Sequence, residues 1–204
     1  MTQIPQSLSK EQTKALLNNI DADFGPGIDA ARSTRNYVLT LLMLDAGLRV
    51  SEACSLTQSQ LVLNDCVLSG LHLDADQTKT SQCRHIPFTT RLQQTIQRLH
   101  NLTWLPPNHA PGLYAFFYKS GTKALSPRSV QDFIRAASKN IPGGPFHPHQ
   151  LRHTFATNML KVCDMATLQS LLGHSHLSST QRYLHPGPDD RQAAITALDA
   201  QTQS

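Results

Sequence analysis

The chain has 204 residues, 39% of them apolar and 16% charged, and eighteen Lys and Arg against fourteen Asp and Glu give a formal charge of +4. That composition is too apolar for a disordered chain, and the length suits one domain with small appendages and a core that needs no disulfide staples. No apolar run approaches the roughly 18 residues of a membrane helix, no signal-peptide pattern opens the chain, and Cys54, Cys66, Cys83 and Cys163 are scattered without a CxxC pair, so free thiols in a reducing cytoplasm are expected.

In chain order, the first helix is expected to start at Ser9, with Gln12 placed to complete a capping box. A second runs over residues 29–46, and Gly47 stands where a helix takes its left-handed C′ residue. Residues 56–63 read as a short helix or turn. From Cys66 to Phe88 short alternating pieces separated by polar turns predict a small antiparallel sheet. Helix returns over 90–102, with Leu92, Ile96 and Leu99 on one stripe, and residues 106–112 form a loop. Ser126 and Pro127 open a helix towards Lys139, and the PGGP run at 142–145 breaks the chain. Helices over 149–162, 165–172 and 178–184 follow, then a stop after His185 and an amphipathic piece over 191–198. The fold class is mainly α with a small antiparallel β-sheet, in a single compact domain without repeats.

The charge is one-sided. Residues 11–76 hold nine acids and four basic residues, whereas residues 77–161 hold eleven basic residues and one acid, Asp132. Such a segment points to an anionic partner or to a solvated basic face, and charge alone does not choose between them.

Three stretches carry chemistry: Ala46 to Leu56 (AGLRVSEACSL), His147 to Leu160 (HPHQLRHTFATNML) and Leu171 to His185 (LLGHSHLSSTQRYLH). Taken singly, Arg49 reads as a surface cation at a helix end, His149 and Arg152 as polar residues sharing a helix face, and Tyr183 as a packing residue. Together they suit a phosphodiester under attack. Charge develops on its non-bridging oxygens, and preorganised donors stabilise it. A guanidinium meets phosphate oxygens two at a time and stays charged. Two arginines with histidines thus cradle a phosphate without a metal, a tyrosine supplies an oxygen nucleophile, and a lysine protonates the departing alkoxide.

These patterns resemble the tyrosine recombinase, or phage integrase, family over about residues 8–185. The arginine motif appears as Gly47-Leu48-Arg49-Val50-Ser51-Glu52, the HxxR box as His149-Gln150-Leu151-Arg152, and the LGH box as Leu172-Gly173-His174, with Tyr183 nine residues after that histidine. The resemblance implies that Arg49 and Arg152 bind the scissile phosphate, that His149 assists proton transfer and that His174 donates to a phosphate oxygen. It makes Tyr183 the nucleophile and Lys79, in a hairpin turn, the general acid. Glu52 orients Arg49 or closes the helix, and His153 and His176 are local supports.

The resemblance further implies a catalytic domain over 1–185 and a tail over 186–204 able to form a helix passed to a neighbouring subunit. Most family members carry an extra N-terminal helical domain, so the short start here resembles a catalytic-domain-only recombinase or a catalytic fragment. The partner would be double-stranded DNA with paired recombination sites, bound by a homotetramer with an accessory DNA-bending protein, in the cytoplasm at the nucleoid, with no cofactor and no metal. Lys79, Arg84, Lys119, Lys123, Arg128, Arg135 and Lys139 are candidate DNA contacts. Competing readings are a type IB topoisomerase, which shares the chemistry, and a DNA-binding regulator without catalysis, which the intact residue set argues against. A zinc protein is a third, given ten histidines, but no HExxH or cysteine pair supports it.

Overall fold

The computed structural model describes residues 7–21, 30–74, 83–104, 112–118 and 122–173. Lys79, Lys119, His174, His176, Tyr183, the helices expected at 178–184 and 191–198, and the tail over 186–204 lie outside the described residues.

Helix α1 (Lys10–Asp21) opens on the expected capping box. The Ser9 backbone N–H donates to Gln12 Oε1 at 2.8 Å, and the Gln12 N–H donates to Ser9 Oγ at 3.1 Å. Helix α2 (Ala30–Leu44) forms the centre. Val38, Leu39, Thr40, Leu41, Leu42 and Met43 are wholly buried, as befits a helix apolar around most of its circumference, and α1 and the later helices over Thr90–Leu99, Pro127–Ser138 and Pro148–Met159 pack around it. Its chain turns at Gly47, whose φ of +63° is the left-handed conformation glycine adopts without penalty.

A short helix α3 (Val50–Ser55) follows where no separate helix was expected. Residues 56–63 become a 3₁₀ turn at Gln58–Gln60 and the first strand, β1 (Val62–Leu63). The expected single sheet is two separate antiparallel ladders. Strand β1 pairs with β2 (Cys66–Val67) across Asn64 and Asp65, which both take positive φ, as a type I′ hairpin requires. Strand β3 (Gly70–Leu73) pairs with β4 (Arg84–Pro87), placing Leu71 opposite Ile86 and Leu73 opposite Arg84. Those four side chains face inward, while His72 and His85 face out.

Helix α4 (Thr90–Leu99) buries Leu92, Ile96 and Leu99 as its stripe predicts. It ends earlier than expected because the chain widens into a π-helical turn at His100–Trp104, which seats the buried Trp104 with its indole N–H on the Ala115 carbonyl at 3.1 Å. Helix α5 (Pro127–Ser138) starts with Pro127 in its first turn and Ser126 as its cap. Helix α6 (Pro148–Met159) stops three residues short of the expected end. Its Thr154 hydroxyl accepts the Leu8 backbone N–H at 2.8 Å. Helix α7 (Met165–Leu172) matches the reading, and it ends at Gly173, again with φ +63°. The fold is thus mainly α with small antiparallel sheets. Among the described residues no helix is long and apolar enough to cross a membrane.

Candidate active site

The site is assembled around the carboxylate of Glu52. Arg49 precedes α3 and Glu52 lies three residues on, so the side chain folds back and Oε2 accepts the Arg49 backbone N–H at 2.7 Å. The same geometry brings Glu52 Oε1 to Arg49 Nη1 at 2.8 Å. Arg84, on the inward face of β4, donates from Nη2 to Glu52 Oε2 at 2.8 Å. Arg152, on the inward face of α6, comes within 3.8 Å of the same oxygen through Nη1. Three guanidiniums from three separate parts of the chain therefore surround one buried carboxylate, among the described residues.

Arg152 also ties two helix ends together. It donates from Nη1 to the Gly47 carbonyl and from Nη2 to the Leu172 carbonyl at 2.9 Å. Both carbonyls lie at helix C-termini, beyond α2 and at the end of α7, where unpaired acceptors and the negative end of the helix dipole favour a cation. The two left-handed glycines make this possible. A Cβ on Gly47 would stand 2.4 Å from Phe155 Cδ1, and one on Gly173 would stand 2.6 Å from Arg84 Nη1. Of the three guanidiniums, Arg49 is the one open to solvent, its side chain 24% exposed against 2% for Arg84 and 4% for Arg152.

Burial alone would raise the Glu52 carboxyl. The hydrogen bond and charge of Arg84, then the Arg49 backbone N–H and guanidinium, outweigh burial and hold it below its ordinary 4.5. Glu52 is therefore an anion at neutral pH, and it offsets part of the positive charge while fixing where that charge sits. The Cys54 thiol behind it is buried and pushed up to about 12, which makes it an inert packing group.

Of the six residues read as catalytic, the structure brings Arg49 and Arg152 to one carboxylate. His149 is exposed in the first turn of α6, one turn before Arg152, and His153, the residue after Arg152, is buried. Lys79, His174 and Tyr183 lie outside the described residues, though the described chain leads to two of them. Strand β4 begins after the Lys79 segment, and Gly173 directly precedes His174.

Among the candidate DNA contacts, Lys123, Arg128, Arg135 and Lys139 are exposed. Arg128, Arg135 and Lys139 recur at spacings that keep them on one face of α5 and its C-cap, with Arg128 Nε 3.2 Å from Asp132. Arg84 requires a correction. Its guanidinium lies in the interior against Glu52, so it does not contact DNA from the surface. The period-two pattern carried the signal, because Arg84 falls on the same face of β4 as Ile86, with Phe88 next in that register. Among the described residues, no group of three or more His, Cys, Asp or Glu lies close enough to hold a metal ion.

The profile of the phage integrase family matches residues 6–189. Tyrosine recombinase XerC of Pseudomonas syringae pv. tomato is 32% identical over 186 residues, covering 89% of this chain and 56% of the relative. The chain thus spans about half the length of the curated relatives it matches. In three dimensions it is similar to XerA recombinase, with a TM-score of 0.73 and 23% identity over 97% of this chain and 66% of that one. It is also similar to XerH site-specific recombinase bound to palindromic difH substrate, with a TM-score of 0.71 and 21% identity over 97% and 54%. The chain belongs to the phage integrase family, the tyrosine recombinases.

Proposed function

We propose that the chain is the catalytic part of a site-specific DNA recombinase that cuts and rejoins strands through a 3′-phosphotyrosyl bond. The observation that carries this is the convergence of Arg49, Arg84 and Arg152 on the single carboxylate of Glu52. Three positive charges against one negative leave an excess that a phosphodiester anion complements, and Arg49 opens that excess to solvent.

In this reading Arg49 and Arg152 stabilise the non-bridging oxygens, with His149 and His174 beside them. The Tyr183 oxygen attacks phosphorus and loses its proton with the help of His149. A phosphorus–oxygen bond to tyrosine forms as the bond to the 5′-oxygen breaks, and Lys79 protonates that oxygen. The phosphotyrosyl bond conserves the energy of the broken linkage, so a different 5′-hydroxyl can reverse the step without ATP or metal. The exposed basic face of α5, with Lys119 and Lys123 before it, follows the DNA backbone.

XerH was seen on a palindromic substrate, and by the same logic this chain acts on paired sites as a homotetramer with a DNA-bending accessory protein. It works at the nucleoid in the cytoplasm, and residues 186–204 form the helix exchanged between subunits. The test is covalent capture on nicked suicide duplexes drawn from a randomised library, in excess chelator. The wild-type chain should form a protein–DNA adduct. Tyr183→Phe, which removes one oxygen, should keep duplex binding and form none. An adduct that persists in Tyr183→Phe, or that requires added metal, refutes the reading.

A further inference from the structure

Arg84 has no task in the reaction above, yet its placement is costly. Its side chain is 2% exposed, and Nη2 holds Glu52 Oε2 at 2.8 Å. Its Nε and Nη1 have no hydrogen-bond partner among the described residues. Buried N–H groups of a cation left unpaired are expensive, and an apolar side chain of similar volume in place of a buried ion pair is often neutral or stabilising. A buried pair is weak grounds for stability in itself, although loss of Arg84 alone would leave the Glu52 carboxylate short of a partner, and the burial of Arg84 removes it from the DNA-facing surface.

Geometry suggests what does account for it. Glu52 Oε2 receives the Arg49 backbone N–H and Arg84 Nη2, while Arg152 Nη1 stands off at 3.8 Å, beyond hydrogen-bond distance. Arg84 thus occupies the oxygen that Arg152 would otherwise draw towards itself. Without Arg84 the carboxylate is free to rotate onto Arg152, which would pull Oε1 from Arg49 and quench the charge of Arg152. The opposite edge of the guanidinium rests on the Gly173 turn, where a Cβ would come within 2.6 Å of Nη1.

We infer that Arg84 is a positioning residue for strand cleavage: it fixes the Glu52 carboxylate, and through it Arg49 and Arg152, against strand β4 and the Gly173 turn. This rests on the strand-cleavage reading given above. A second consequence follows from the groups that face Glu52, which are Arg49 from the turn before α3, Arg84 from β4 and Arg152 from α6. Burial raises the carboxyl, and Arg84 is the strongest influence opposing it. Loss of Arg84 lets Glu52 protonate at a higher pH.

The experiment uses the full chain and the nicked duplex that the wild-type chain itself selects from the randomised library. Arg84→Met should bind this duplex with unchanged Kd and stay folded at the assay temperature, with a lowered Tm because one side of a buried ion pair is gone. Its single-turnover cleavage at saturating DNA should fall on the order of 10²-fold, as misplacement of a catalytic group does, and the acid limb of its pH–rate profile should move upward. Arg84→Lys keeps the charge and loses the fork, so its rate should recover partway with the acid limb closer to wild type. A wild-type rate in folded Arg84→Met, a loss confined to Kd, or an unmoved acid limb overturns the inference. If Arg84→Met fails to fold, Arg84→Lys decides alone: a reduced rate at saturating DNA supports positioning, and a wild-type rate overturns it. Failure of the wild-type chain to capture any DNA refutes the cleavage reading and the inference together, whereas normal capture by both wild type and Arg84→Met overturns the inference alone.

Discussion

Replacing Glu52 by glutamine keeps the volume of the side chain and removes one charge, so it isolates what the anion contributes. The carboxylate accepts three N–H groups at 2.7–2.8 Å, from the Arg49 backbone, Arg49 Nη1 and Arg84 Nη2. A glutamine oxygen can satisfy two of them, and its amide then points N–H groups at a guanidinium. At least one of these N–H donors loses its acceptor, and all three arginines lose their counterion. Breaking a buried pair from one side costs about 3–5 kcal/mol. For a chain of this size that lowers Tm by roughly 6–20 °C.

The pH dependence supplies the control. The folded-state value of Glu52 lies below its ordinary 4.5, so its contribution is fully present above that value and is lost as pH falls through the depressed one. Glutamine does not titrate. The gap between wild type and Glu52→Gln in urea unfolding should therefore be widest at neutral pH and close in acid, while the other carboxylates titrate alike in both proteins. A gap below about 1 kcal/mol at neutral pH, which is the scale of an exposed ion pair, would falsify the reasoning, as would a gap that persists unchanged in acid.

Lys79→Ala should slow cleavage by roughly 10²–10⁴, the usual weight of general acid catalysis, and should regain near-normal rates on DNA with a bridging 5′-phosphorothiolate, whose sulfur leaves without a proton. Arg152→Ala should gain much less from the sulfur, and equal rescue of both removes Lys79 from the acid role. Gly47→Ala forces a left-handed φ on alanine and drives its Cβ to 2.4 Å from the buried Phe155 ring. About 2–5 kcal/mol of lost stability in urea titration is expected from strain and overpacking together, and a neutral substitution contradicts the geometry described for that turn.

Much of this was legible in the sequence because the signals were local. The Ser9–Gln12 box, Pro127 and the helix-ending Gly47 each act within a turn of the backbone, and the structure places them as read. What escaped was set at a distance. Residues 50–55 carry no strong helical stripe of their own, and α3 is held by the Glu52 cap and by packing on α2 and α5. The β1–β2 ladder depends on two left-handed residues, Asn64 and Asp65, and its first strand lies before the Cys66 start expected for the sheet. Arg84 was misread because a basic residue in a basic segment suggests a surface. Its partner lies 32 positions away, and only the alternation of β4 pointed inward. Glu52 was read correctly as orienting Arg49, but the same carboxylate serving Arg84 and Arg152 is a long-range fact that no local pattern encodes.

The Arg152–Gly47 hydrogen bond closes 105 residues of chain, and that separation sets when the centre can exist during synthesis. At about 5–20 residues per second the ribosome takes several seconds to travel from Arg84 to Arg152. Until α6 has emerged, the nascent chain holds Arg49, Glu52 and Arg84 but no second arginine for a phosphate. The wider loop also adds about 1 kcal/mol of closure entropy relative to the 32-residue span between Glu52 and Arg84. A cluster built this way arrives late in the life of each molecule, as a property of the nearly finished fold, and a truncated translation product carries Glu52 with Arg49 and Arg84 but without Arg152.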